Sequence, residues 1–128
     1  MTNKERKLVL RDICGRLPWR VSVKATGPNA QEDAIYYVCE VDIAREFVTC
    51  IGQGMDPNTK FGFDIGQIKP LLKSMADMSH EEKEDYHRIL FLDSLFDKSS
   101  PDLLVDFFHR NDIDYRGLIK KELAISSV

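Results

Sequence analysis

A change of hydrophobic period constrains this fold more than any other feature of the chain. Between residues 20 and 65 apolar side chains recur at every second position, whereas on either side they recur at every third or fourth. The first spacing sends alternate side chains to opposite faces of a strand, and the second lines one side of a helix. Val21, Val23 and Ala25 alternate with Arg20, Ser22 and Lys24. After the polar breaker TGPNAQED (Thr26–Asp33), Ile35, Tyr37, Cys39, Val41 and Ile43 alternate with Tyr36, Val38, Glu40 and Asp42. Phe47, Thr49 and Ile51 continue as a third strand. Beyond the loop GQGMDPNTK (Gly52–Lys60), Phe61, Phe63 and Ile65 make a fourth. Short strands with one apolar face predict an antiparallel meander whose other face is solvated. Such a meander forms either a small SH3-like barrel or an open sheet covered by helices, and the pattern alone does not decide closure.

The flanks supply the helices. Thr2 and Glu5 have the spacing of a capping box, followed by Val9, Leu10, Ile13, Cys14 and Leu17 at helical intervals. This predicts a helix over 3–14, with Gly15 as a left-handed stop and Pro18 blocking continuation. IKPLLKSM (Ile68–Met75) reads as a helical turn or an extended crossover. Ser79 and Glu82 form a second capping box, and carboxylates in the first turn favour a helix over 80–96. Within it, the apolar run at Arg88–Leu92 also suits a buried strand. Ser100 before Pro101 marks another helix start, with Leu103, Leu104, Phe107 and Phe108 as its buried stripe. Asn111 and Asp112 break it, and Asp114 can cap a last short helix that turns Leu118, Ile119 and Leu123 inward. The expectation is an α+β fold in one domain, 1–128: an N-terminal helix over 1–18, a four-stranded β meander over 19–67, and a helical part over 68–128 with two to three helices. Ile35, Tyr37, Val41, Phe61 and Phe63 are expected to pack against Leu103, Leu104, Phe107 and Leu118.

A chain of 128 residues, 43% hydrophobic and 30% charged, can bury a core without metals or disulfides. Cys14, Cys39 and Cys50 are odd in number and lack a CxxC spacing, which favours free, buried thiols in a reducing cytosol. No long apolar run follows the basic N-terminus, so neither a secretory signal nor a membrane partner is expected. The net charge of −3 is uneven: residues 1–24 hold seven bases and two acids, leaving −8 on the remainder. That asymmetry fits either a surface for an acidic partner or neutralisation within the fold, and the second is preferred.

The chemistry-bearing residues are sparse. His80, Glu84 and His87 share a helix face and could bind zinc or iron, but a polar helix facing water accounts for them as well. His109 is expected at a helix C-terminus, where a cationic ring is favoured. Gly52-Gln53-Gly54 is not followed by a helix carrying Lys-Ser/Thr, so it reads as a hairpin loop and not a phosphate cradle. No catalytic set and no cofactor site emerges. The main binding candidates are bases. Lys4, Lys7 and Arg11 line one helix face, and Arg20 and Lys24 one strand face; together they could meet an acidic protein or track a phosphate backbone. Tyr115, Arg116 and Gly117 form a compact turn that is either a docking epitope or structural. In the structural version Gly117 permits a close helix approach, Tyr115 packs on the sheet, and Arg116 pairs with Asp112 or Asp114.

Three segments carry a resemblance: LVLRDICGRLPW (Leu8–Trp19), IKPLLKSMADMSHEEKEDY (Ile68–Tyr86) and FFHRNDIDYRGLIKKELA (Phe107–Ala124), with DYRGLI at the centre of the last. They resemble a group of small uncharacterised proteins frequent in Bacteroidetes genomes and their phages and mobile elements. The resemblance implies a phage or mobile-element setting and brings no activity with it. The functional expectation is therefore a non-catalytic accessory protein that binds another protein, possible targets including a host system it would inhibit. The alternatives are a nucleic-acid-binding module using the basic helix and a small metal-dependent enzyme.

Overall fold

A computed structural model describes residues 1–95 and 101–127. Its elements run α1 (Asn3–Arg16), β1 (Ser22–Ala25), β2 (Tyr36–Asp42), β3 (Phe47–Gly52), β4 (Lys60–Asp64), β5 (Ile68–Leu72), α2 (His80–Leu95), α3 (Pro101–Arg110) and β6 (Ile125–Ser126). The fold is α+β, but the sheet has six strands, in the order β4-β3-β2-β1-β5-β6. Two of them lie in the part expected to be helical. Ile68–Leu72 is the extended alternative: Ile68, Pro70 and Leu72 point into the core, and the strand pairs antiparallel with β1. The C-terminal tail adds β6 parallel to β5. The last short helix expected after Asp114 is replaced by turns, although Asp114 does accept from the N–H groups of Leu118 and Ile119. A single 3₁₀ turn, Ile65–Gln67, carries the chain from β4 at one edge to β5 beside β1. The sheet therefore curls, yet no ladder joins β4 to β5 and no barrel closes.

The phase of β2 and β3 is the reverse of the expected one. Tyr36 and Val38 are buried, whereas Tyr37 is only half-buried and Cys39 is exposed. The register explains the change. Val38 pairs with Cys50 and Glu40 with Thr49, so Cys39 is an extra residue in a bulge, after which Val41 returns to the inner face beside Val48. YYVCEVD is apolar on both faces, and the deciding residue is Tyr36. Its ring meets Phe61 and Phe63 edge-on at 5.4 and 5.1 Å, and its hydroxyl accepts from the Gln31 N–H at 2.9 Å. On β3 the same reversal buries Val48 and Cys50 and leaves Phe47 exposed.

The core falls into two clusters. Val9, Leu10 and Ile13 of α1 pack on the inner sheet face with Val23, Tyr36, Val48, Phe63, Ile68, Leu118 and Leu123. Phe107, Phe108 and Ile113 gather separately with Met75, Tyr86, Ile89, Leu104 and Tyr115. Phe107 and Leu104 thus pack on α2 and the neighbouring turns, not on the strands, and Leu103 is half exposed. Both capping boxes form, at Thr2/Glu5 and at Ser79/Glu82. Arg88–Leu92 lies in α2, with Phe91 60% exposed. Residue 96 and the expected cap Ser100 lie outside the described residues. Among the described residues, no helix is long and apolar enough to cross a membrane.

Candidate functional site

The polar architecture centres on α1, which does not stop at Gly15 but runs on to Arg16. Gly15 serves a close approach instead. A Cβ there would lie 2.9 Å from Cε1 of His109, so glycine leaves the room that this ring occupies against α1. One further residue of helix places Arg16 one turn after Asp12, both fully buried and paired at 2.9 Å. The Arg16 guanidinium also donates to the carbonyls of Phe108 and Ile113, at 3.3 and 2.7 Å. Arg116 donates to the second Asp12 oxygen at 2.6 Å and stacks on Tyr115, 4.7 Å from the ring centroid. A charged seam of this kind joins the two apolar clusters. Each buried charge in it is matched by an opposite one and by carbonyls, which offsets a desolvation cost of several kcal/mol per ion.

This seam revises the reading of the DYRGLI turn. Arg116 pairs with Asp12, far away in sequence, and not with Asp112 or Asp114. Tyr115 packs on α3, stacked 5.0 Å from Phe108, with its hydroxyl 2.9 Å from His109 Nε2. Gly117 has φ +72° and nothing within 4 Å of a Cβ position, so it is needed for its backbone conformation and not for a tight contact. His109 is 5% exposed. Burial, with Arg16 and Arg116 nearby, pushes its pKa below the ordinary value, so it is not the cationic helix-terminal ring the sequence suggested. The signal for the seam was present as an Asp-Arg pair at i, i+4, but the sequence counted Arg16 only as one more base.

The outward side of α1 is different. Lys4, Lys7 and Arg11 are exposed, and among the described residues they form no ion pair. Lys7 and Arg11 make a ridge between two surface hollows. One, of about 390 Å³, is lined by Leu10, Cys14, Ile43 and Glu46 in addition to the ridge. The other, of about 340 Å³, adds Lys4, Leu8 and Lys121. The hollows have an apolar floor and a basic rim, with Ile43 66% exposed at the edge. Glu46, the acid in the first hollow, is held by Arg6 at 2.7 Å. Arg6 also clamps Asp64 through two bonds of 2.7 and 2.9 Å, which lowers the Asp64 pKa.

The remaining candidates do not join this surface. Arg20 lies over Tyr37 at 4.4 Å, and Lys24 is registered against Lys69. Tyr37 and Lys24 alternate with the inward Tyr36 and Val23, so these bases belong to the outer sheet face, opposite α1. His80 pairs with Glu84 at 3.0 Å on an exposed surface, and His87 sits beside Tyr86. Among the described residues, no three His, Cys, Asp or Glu side chains are grouped to hold a metal ion. The thiols divide: Cys50 is buried with its pKa pushed up to about 12 by desolvation, Cys14 is half-buried, and Cys39 is exposed on the bulge. Comparison of the chain with protein-family models, with curated proteins and with solved structures finds no match.

Proposed function

We propose that this chain is a non-catalytic binding protein whose outward α1 face docks on an acidic protein surface. The observation that carries the reading is the contrast in how its bases are used. Arg6, Arg16 and Arg116 are all spent on internal carboxylates. Lys4, Lys7 and Arg11 have no ion-pair partner among the described residues, in a chain that has 21 acids and a net charge of −3. An acidic segment with an apolar residue or two fits the basic rim and apolar floor, since charge steers encounter and burial supplies affinity. The setting proposed is the cytoplasm of a host carrying a phage or mobile element, in keeping with the sequence resemblance. A nucleic acid fits less well, because Arg20 and Lys24 lie on the opposite sheet face and do not extend the α1 patch of Lys4, Lys7, Arg11 and Lys121 into a longer basic track.

Fluorescence anisotropy with an acidic amphipathic peptide and with a short DNA duplex of similar charge separates the two. The peptide should bind and lose affinity in the Lys4→Ala/Lys7→Ala/Arg11→Ala variant, while DNA binding stays negligible at physiological salt. Tight DNA binding with a steep salt slope that the same variant reduces would transfer the surface to nucleic acid. Absence of both would remove the docking role of α1.

A further inference from the structure

The edge strand β4 reads KFGFD, and its chemistry is self-complementary. It ends the sheet, and among the described residues it pairs only with β3. Ile65 N–H donates to Glu46 C=O at 2.8 Å, which fixes the alternation of the antiparallel ladder. Phe61 and Phe63 then bond to β3, and the N–H and C=O of Gly62 point to the open side, as do those of Lys60 and the C=O of Asp64. We infer that β4 pairs antiparallel with β4 of a second copy of this chain, about a two-fold axis at Gly62.

Register decides the case. With the axis at Gly62 all five residues are paired, and Lys60 of each copy lies opposite Asp64 of the other. Outward-facing groups also meet across the seam, as a ladder requires. Moving the axis to Phe61 or to Phe63 leaves only three residues paired, sets Lys60 or Asp64 respectively against glycine, and leaves the other charge without a partner across the seam. Moving it to Lys60 or Asp64 places like charges face to face, which is destabilising. Edge strands commonly use charge to repel a neighbour; here the two signs sit at equal distances from the centre, so in this register they attract. The axis is also the one position without a side chain. Phe47 lies across Gly62 on the outer face, where a Cβ would fall 2.5 Å from its Cζ, and the ring is 39% exposed. In the pair, two such rings flank the Gly62–Gly62 step and cover it. The competing contacts are unequal. Lys60 reaches Glu40 only at 3.8 Å. Asp64, 44% of its side chain exposed, is clamped by Arg6 and accepts from the Gly66 N–H. It also donates its own N–H to Gln67 Oε1 at 2.9 Å, a cap that pairing at this step has to displace. An isologous interface of this kind closes at two copies, and it shares no residue with the α1 patch.

The test is sedimentation equilibrium of the full chain over a wide concentration range, with amide hydrogen exchange followed at Gly62. The expected result is a reversible monomer–dimer equilibrium in which exchange of the Gly62 N–H slows as concentration rises. Lys60→Asp, at an exposed site, should weaken association by roughly tenfold, because it sets two like-charge pairs across the seam. Its melting temperature should hardly change. A chain that stays monomeric up to millimolar concentration overturns the inference. So does a dimer whose Gly62 N–H exchanges at the monomer rate, or one indifferent to Lys60→Asp.

Discussion

The two sides of α1 carry the same residue types and use them in opposite ways. Inward, Asp12 and Arg16 are withdrawn from water, matched to each other, to Arg116 and to the carbonyls of Phe108 and Ile113. Outward, Lys4, Lys7 and Arg11 face solvent beside two hollows and pair with nothing among the described residues. A buried charge must be answered on the spot, so the inward set is committed to the fold. An exposed charge is kept in water at little cost, so the outward set is free for a partner. Count of charge does not separate the two roles; burial and pairing do.

The comparison breaks first at Arg16. Arg16→Met should cost about 3–5 kcal/mol in a denaturant melt, because it leaves Asp12 buried with one partner fewer. A loss below about 1 kcal/mol would mean that the seam is not what joins the two clusters. Adding Asp12→Leu to Arg16→Met should recover part of the loss, since a matched apolar pair often replaces a buried ion pair without penalty.

Gly15→Ala should come next. The added methyl meets His109, which is held by Tyr115, and overpacking of this kind costs about 1–3 kcal/mol. That exceeds the roughly 1 kcal/mol that alanine gains over glycine within a helix. A more stable variant would show that the ring swings aside and that α1 and α3 are not locked at this point.

Acid sharpens the contrast in a graded way. His109 has a folded pKa below its ordinary value of 6.5, so the folded chain binds its proton less readily than the unfolded one. Its contribution is complete above that ordinary value and declines as pH falls from there toward the depressed folded value. His109→Gln should flatten the stability profile in that window. Asp64, lowered by Arg6, acts further down: its contribution is lost as pH falls below the ordinary 3.8 toward its depressed value. Thermal melts across pH on the parent and on His109→Gln measure both.

The smallest effect on stability belongs to the outward set. Lys4→Ala/Lys7→Ala/Arg11→Ala should change unfolding free energy by no more than about 0.5 kcal/mol per position, while abolishing the anisotropy response to the acidic peptide. A large stability loss would show that these bases are committed to the fold after all.

Local signals in the sequence were sufficient for α1, both capping boxes, α2, the break at Asn111–Asp112 and the presence of β1 to β4, because caps, breakers and periodicity act over a few neighbouring residues. They also picked out Lys4, Lys7 and Arg11 as one helix face. What the sequence left undetermined was decided between distant segments. YYVCEVD is apolar on both faces, and only the bulge against β3 and the seat of Tyr36 between Phe61 and Phe63 chose the inner one. IKPLL became a strand because β1 offered an open edge to pair with. Gly15 looks like a helix stop until His109 arrives from the other end of the chain. Arg16 looks like its neighbouring bases until Asp12 and the carbonyls of Phe108 and Ile113 enclose it. Period and propensity are properties of neighbours along the chain, whereas burial, register and charge pairing belong to segments that meet only once the chain has folded.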